Sequence, residues 1–475
     1  MSVDTTSVLS SLFWKFLERS SVQLVSFLVA IVLARILSPE DYGMIALVIV
    51  FVNLANVIVE GGLNTALIQK KEADQTDFST IFYASLFLAA FLYCFLYFSA
   101  DAIAVFYNNK ELISVVRVIG LSLFFFAVNS VQKAFLSRRL LFRKLFYSSL
   151  GAVLLSGVVG IVMAYQGAGV WALVAQSMIS QIATTLIMWY TVKWRPTWEF
   201  SSSRFSSLFS YGWKIFVSNF IINLFINIRS LLIGKVYSAG ALAYFDRGKQ
   251  FPSLIIENIN NSIQTVIFPV LSKEQENLTI IQAMVRRSIK MSSFIIFPLV
   301  FGLATSAEPI VRTLLTDKWI GAVPFIQIFC AAYLLMPMQV ANMEAIKALG
   351  FSGTTLKLET LKKVIELIIL LVSVPLGVEA IAWGVVFYNA ISLFINARPN
   401  KKLLNYGFKE QITDVMPPFL MSMIMGASIL LVNSLLEDSL VTLLFDICVG
   451  FIVYIVLSVV SRNETFIYLL KILKK

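Results

Sequence analysis

An all-α polytopic membrane protein with about 14 transmembrane helices is the fold class this sequence predicts, on three observations. Hydrophobic residues make up 58% of its 475 residues and charged ones 14%, with a mean hydropathy of +0.83, which leaves too little polar surface for a soluble domain. Apolar runs of about 20 residues recur down the chain, the length a helix needs to cross a bilayer, where a β-barrel would show short alternating segments. Basic residues gather in every second loop, as they do where loops alternate between the two sides of a membrane. The N-terminal MSVDTTSVLSS has no basic stretch and no small-residue cleavage site ahead of the first span, so no removed signal peptide is expected.

The spans are predicted near 8–34, 42–66, 79–100, 112–132, 145–165, 170–191, 208–233, 251–271, 288–306, 322–342, 360–377, 380–396, 415–433 and 440–460. Span one sets Lys15, Arg19, Gln23 and Ser26 on one face of a stretch otherwise built from Leu, Val, Phe, Ile and Ala. Charges inside a hydrocarbon span are costly, so Arg19 is expected to face a water-filled interior, with Glu18 as its partner. Lys15, a turn nearer the helix end, suits either that interior or the headgroups. Span two follows Pro39, where the Glu40-Asp41 pair suits a helix N-terminus, and carries Asn53, Asn56, Glu60 and Asn64 within one narrow face. Span six ends on Trp189, Trp194 and Trp198, an interfacial cluster, and SSSRFSSLFSYG, Ser201 to Gly212, has the composition of a linker.

Span seven holds Lys214, Ser218 and Arg229 in one band, and Asn219, Asn223, Asn227 and Ser230 in another that suits hydrogen bonding to neighbouring helices. Span eight sets Glu257, Asn260, Asn261 and Gln264 on one face. Pro298, Pro324 and Pro337 predict kinks in the spans that follow. Glu344, Glu366 and Asp446 are further acids within or beside later spans.

One set of loops carries Lys70 and Lys71, then Lys133, Arg138, Arg139, Arg143 and Lys144, then Lys193, Arg195 and Arg204, and continues so to the C-terminal lysines. The other set holds only Arg35, Lys110, Arg117, Lys235, Arg247, Lys249, Arg312 and Lys318. Both termini are therefore expected on the cytoplasmic side. The same asymmetry absorbs most of the formal charge of +11, so no nucleic-acid partner is implied. Cys94, Cys330 and Cys448 lie in apolar runs without CxxC spacing, and histidine is absent, which excludes a disulfide framework, His-ligated metal and His acid/base chemistry. No metal and no cofactor is expected.

Across the Ser201 to Gly212 stretch the chain resembles itself. Trp14-Lys15 opens span one and Trp213-Lys214 opens span seven, while Glu60 and Asn64 in span two match Glu257 and Asn261 in span eight. The separations agree, 45 residues from Lys15 to Glu60 and 43 from Lys214 to Glu257. This predicts two six-helix lobes, residues 1–200 and 201–400, related by a parallel repeat about an axis along the membrane normal, with two further helices and a cytoplasmic tail in 401–475. The polar faces of spans one, two, seven and eight are expected to line one wet cavity. Its cations Lys15, Arg19, Lys214 and Arg229 suit phosphate or carboxylate. Glu18, Glu60 and Glu257 would balance that charge or take a coupling proton or sodium ion, and Gln23, Asn53, Asn56, Asn64, Asn219, Asn223, Asn261 and Gln264 can hydrogen-bond sugar hydroxyls.

LARILSPEDYG, Leu33 to Gly43, followed by EGGLNTALIQKK, Glu60 to Lys71, resembles the start of bacterial polysaccharide transporters. These are the O-antigen and exopolysaccharide flippases of the multidrug/oligosaccharidyl-lipid/polysaccharide exporter superfamily. The resemblance implies two lobes around a cavity lined by the first, second, seventh and eighth helices. It also implies alternating access that moves an undecaprenyl-diphosphate-linked oligosaccharide from the inner to the outer leaflet of the bacterial cytoplasmic membrane, for polysaccharide or lipopolysaccharide biosynthesis. The related lipid II flippases carry a basic residue in the second helix just before the EG pair, where this chain has Asn56, which leaves Arg19, Lys15 and Lys214 as the expected diphosphate contacts. Coupling to a proton or sodium gradient or to the membrane potential is expected, with membrane lipid and polysaccharide polymerase and export machinery as partners.

Two other readings compete. A cation-coupled multidrug exporter of the same fold would want an acidic or aromatic cavity, whereas span one is net basic. A membrane glycan polymerase or glycosyltransferase would want catalytic groups on a sizeable outer loop, and the outer loops here are short, so no enzyme is expected.

Overall fold

Caps written into the sequence decide where the helices begin. The computed structural model describes residues 5–473, without the side chains of 5–9, 11–12, 261–266, 268–269 and 472–473. Every regular element among the described residues is helical, and contacts divide the chain into two units, residues 1–243 and 244–475. The first unit contains α1 (Thr5–Ile36), α2 (Pro39–Glu60), α3 (Leu63–Gln69), α4 (Gln75–Tyr107), α5 (Leu112–Gly120), α6 (Ser122–Arg138), α7 (Phe142–Tyr165), α8 (Val170–Thr191) and α9 (Ser202–Val236). The helix α10 (Ala239–Lys273) begins just before the division. The second unit continues with α11 (Leu278–Thr305), α12 (Ala307–Ile310), α13 (Val323–Tyr333), α14 (Met336–Ala348), α15 (Ser352–Ser373), α16 (Val378–Leu404), α17 (Phe408–Leu435), α18 (Leu440–Val460) and α19 (Glu464–Leu473).

Among the described residues, 12 helical stretches are long and apolar enough to cross a membrane. Of the predicted spans, those on α10 and α15 fall outside that set. The α15 sequence carries Lys357, Glu359, Lys362, Lys363 and Glu366, and α10 includes side chains outside the described residues.

Ser38 accepts from the Asp41 N–H at 3.2 Å while the Asp41 carboxylate accepts from the Ser38 N–H at 3.0 Å, so Asp41 starts α2 as a capping box behind Pro39. Asp74 and Asp77 repeat that box at α4, at 3.0 and 3.1 Å. Ser201 caps α9, accepting from the Arg204 N–H at 3.4 Å. The Ser-rich stretch read as a linker is therefore helical from Ser202, because its serines serve as a cap and a solvated face. Residues 195–201 are stitched to α4: Thr197 N–H donates to Ser79 Oγ at 3.0 Å and Ser201 N–H to Thr80 Oγ1 at 3.2 Å.

In the first unit α1 packs along α7, α7 along α8 and α2 along α9. Its aromatic core joins Phe78, Phe82, Phe135 and Trp194, with Leu67 and Val131. Trp194 is thus interior while Trp198 is 95% exposed, so only part of the predicted tryptophan cluster can lie at an interface. In the second unit α11 packs along α17 and α17 along α18, around Phe294, Met421, Met425, Ile429 and Tyr454. Lipid is as apolar as these side chains, so close packing and buried hydrogen bonds hold such helices together. Pro298 lies inside α11 as expected, but Pro324 and Pro337 occupy the first turns of α13 and α14, where proline's missing N–H costs nothing.

Candidate functional site

Two glycines reshape the predicted polar stripe of span two. Gly61 and Gly62 adopt φ of +53° and +67°, ending α2 at Glu60 and restarting the chain as α3. Glu60 and Asn64 therefore do not share a helix face as their spacing suggested. Gly62 also lets two backbones meet, since a Cβ there would lie 2.2 Å from the Gly212 carbonyl oxygen of α9.

Arg138, the last residue of α6, clamps the far end of α3. Its guanidinium donates to the carbonyls of Leu67 at 3.0 Å, Ile68 at 3.1 Å and Lys71 at 2.6 Å, and also to that of Lys70. These are carbonyls that a helix end leaves without partners. The clamp fixes α6 against the α2–α3 turn, and Lys133 follows about one and a half turns back along α6.

Lys133 lies within electrostatic reach of Glu18 and Lys15 of α1 and Glu60 of α2. Its side chain is exposed. Lys15 Nζ pairs with Glu18 Oε2 at 2.9 Å and sits 5.8 Å from the Phe142 ring centroid. Trp14 beside it packs on Phe146 at 5.5 Å and lies under Arg143, so the start of α7 positions the start of α1. Glu18 thus partners Lys15 across one turn, and not Arg19 as expected, because Lys15 lies on the same face of α1.

Other predicted site residues divide clearly. Arg19 is exposed and Gln23 half-buried; Asn53 is exposed and Asn56 half-buried; Glu60 is half-buried and Asn64 buried. Asn56 Oδ1, Asn64 Oδ1 and both polar atoms of the neighbouring Gln132 are buried without a hydrogen-bond partner among the described residues. On α9, Lys214 and Asn219 are exposed and Arg229 half-buried. Asn223 donates to the Asn219 carbonyl at 2.9 Å and Asn227 to the Asn223 carbonyl at 2.7 Å. These asparagines bond their own helix, where the sequence suggested bonds between helices. Glu257 is exposed on α10, and the side chains of Asn261 and Gln264 lie outside the described residues. The later acids Glu344 and Glu366 each pair with a lysine one turn away, Lys347 and Lys363, at 2.8 Å.

The charges that act on one another are therefore those of Lys15, Glu18, Glu60 and Lys133, with Lys15 and Glu18 in direct contact. Lys133 was placed in a loop because span four was ended at Gln132; the apolar Ala134-Phe135-Leu136 that follows was the available signal that the helix continues. Lys15 and Glu18 form an ion pair, and the charges of both, with that of Glu60, act on Lys133.

The sequence pattern of the family described as polysaccharide biosynthesis protein matches residues 32–324. The chain belongs to that family. It is 23% identical over 375 residues to the teichuronic acid biosynthesis protein TuaB of Bacillus subtilis, an alignment covering 78% of each chain. It is 24% identical over 327 residues to the succinoglycan biosynthesis transport protein ExoT of Rhizobium meliloti, covering 68% of this chain and 65% of that one. Among solved structures it resembles the lipid II flippase MurJ in an inward closed conformation, with a TM-score of 0.75 and 16% identity over 95% of this chain and 99% of that one. The fold is thus the all-helical membrane fold that the sequence predicts.

Proposed function

We propose that this protein is a flippase that moves an undecaprenyl-diphosphate-linked oligosaccharide from the inner to the outer leaflet of the bacterial cytoplasmic membrane by alternating access. The observation that carries the reading is the gathering of Lys15, Lys133, Glu18 and Glu60 on helices long enough to span a bilayer, in a chain of the polysaccharide biosynthesis protein family. A diphosphate needs two or more cations that are not locked into buried ion pairs. Lys15 and Lys133 meet that need, and Arg19 and Lys214 extend it with exposed charges. The exposed amides of Asn53 and Asn219 suit sugar hydroxyls.

The relatives' names point the same way, to polysaccharide biosynthesis and its transport and to flipping of a lipid-linked precursor. We place both termini in the cytoplasm from the loop charges, expect no enzymatic step, and expect a polysaccharide polymerase to use the product. A proton or sodium gradient or the membrane potential would drive the cycle.

The test is deletion of the gene in its own cell, with extraction of lipid-linked oligosaccharide from the cytoplasmic leaflet. Accumulation there, loss of surface glycan and rescue by the wild-type gene are expected. Unchanged lipid-linked glycan with new sensitivity to cationic drugs would point to a drug exporter instead.

A further inference from the structure

A carboxylate inside a membrane span needs a cation or a proton, and Asp446 has no Lys or Arg at ion-pair distance among the described residues. It sits in the second turn of α18, 2% exposed. Its partners are neutral. Ser306, which caps the C-terminus of α11, donates its hydroxyl to Asp446 Oδ2 at 2.7 Å. One edge of the Asn433 amide, in the last turn of α17, faces Asp446 Oδ1 at 2.9 Å and Oδ2 at 3.1 Å. The other edge lies 3.3 Å from the Thr305 carbonyl oxygen, a terminal carbonyl of α11 that its own helix leaves without a donor.

These distances fit two hydrogen-bond patterns that differ by one proton. With a proton on Oδ1, the carboxyl donates to the Asn433 amide oxygen, and the amide NH2 turns to the Thr305 carbonyl. Without it, the Asn433 NH2 turns over and donates to both carboxylate oxygens, and the Thr305 carbonyl loses its link to α17. Ser306 donates in both patterns. An amide with one donor edge and one acceptor edge is suited to read that difference.

We propose that Asp446, Ser306 and Asn433 form a proton site at which uptake and release of one proton makes and breaks the tie between the ends of α11 and α17. The charged groups around it come from the elements packed on the start of α18. Arg312, just after α12, holds Glu308 at 2.8 Å, Asp317 at 2.6 Å and Asp438 at 3.2 Å, and Glu437 precedes Asp438 in the turn before α18. Asp438 is the acid whose charge Asp446 feels, and the released proton is taken up by water. A sodium ion fits less well, because the three side chains offer one carboxylate and stand at hydrogen-bond distances that leave no gap for an ion. The transport reading gives this site its use, as the point where a proton gradient enters the cycle, but the site stands without it.

Infrared titration of the purified full-length protein in lipid nanodiscs tests the site whatever the cargo. A carbonyl stretch from a protonated carboxyl is expected in the wild type and lost in Asp446→Asn, which keeps the shape and one donor edge. Ser306→Ala should keep the band and move it to higher frequency, because the carbonyl has lost its donor. Wild-type and Asp446→Asn spectra that coincide across the neutral pH range would overturn the proposal, as would a band that disappears when sodium is added at constant pH. Failure of cargo movement with the band intact would count against the flippase reading alone.

Discussion

One polar group in the first unit and one in the second use the same residue types in opposite ways. In the first, Lys15, Arg19, Lys133 and Lys214 keep accessible surface within long apolar helices, and Asn56 and Asn64 have oxygens without a hydrogen-bond partner among the described residues. In the second, Asp414 accepts both arms of Arg286 at 2.7 Å and the Tyr406 hydroxyl at 2.9 Å. Asn342 and Gln411 exchange amide hydrogen bonds at 2.8 Å, and Asn400 donates to Asn342 at 2.7 Å. The first arrangement leaves capacity for a guest, whereas the second uses it to hold α11, α14, α16 and α17 together.

Arg19→Ala sharpens that contrast most. Surface glycan should be abolished while membrane insertion and the unfolding temperature stay unchanged, because an exposed cation contributes to anion binding and little to folding. Wild-type glycan at normal expression would remove Arg19 from the site. Asp414→Ala is the mirror case. It strands the Tyr406 hydroxyl and the Arg286 fork around a carboxylate only 5% exposed, and should cost about 3 kcal/mol of stability, read by thermal unfolding of the purified protein. A fully stable Asp414→Ala protein without transport would place that network in the site and break the division between the units.

Lys133→Ala comes next, with a loss of roughly tenfold in transport, the equivalent of about 1.4 kcal/mol, and recovery in Lys133→Arg. Lys15→Ala should do less, since Lys15 already shares its charge with Glu18 one turn away. If Lys15→Ala exceeded Lys133→Ala, the lysine of α1 and not that of α6 would be the stronger of the two lysine contacts.

Much of this was legible in the sequence. Hydropathy gave the fold class because a bilayer imposes one length on every helix, and Pro39 with Asp41 marked the start of α2 because a cap is a local device. The helix break at Gly61-Gly62 was not legible, since glycine between apolar residues reads as part of a span and the need for positive φ comes from the approach of Gly212. Lys133 was missed although Ala134-Phe135-Leu136 continues the apolar run, because the end of α6 is fixed by Arg138 bonding α3, a contact between segments far apart in the chain. Asp446 stood out as an acid in a span, but only its neighbours distinguish it from Glu344 and Glu366, which have lysines one turn away.

Acid should separate the exposed pairs of the first unit from the buried network of the second, with the smallest effect of all. Asp74 bonds Arg204 at the start of α9, and the guanidinium beside it holds the Asp74 carboxyl below the usual carboxylate range. A carboxyl depressed in the folded state contributes fully above its unfolded value, near 3.9, and loses that contribution as pH falls through the folded value. Nothing from this pair should therefore change between neutral pH and about pH 4. Asp74 is more than half exposed, so solvent screens the pair, and Asp74→Asn should barely move the unfolding temperature at neutral pH. The difference between variant and wild type should shrink further in strong acid, where both carry a neutral side chain. Tryptophan fluorescence, with Trp194 in the core beside this region, reads the unfolding at each pH. A large loss at neutral pH would mean that the Asp74 pair is held as tightly as Asp414, and that the first unit is closed at this end in the way the second is around Asp414.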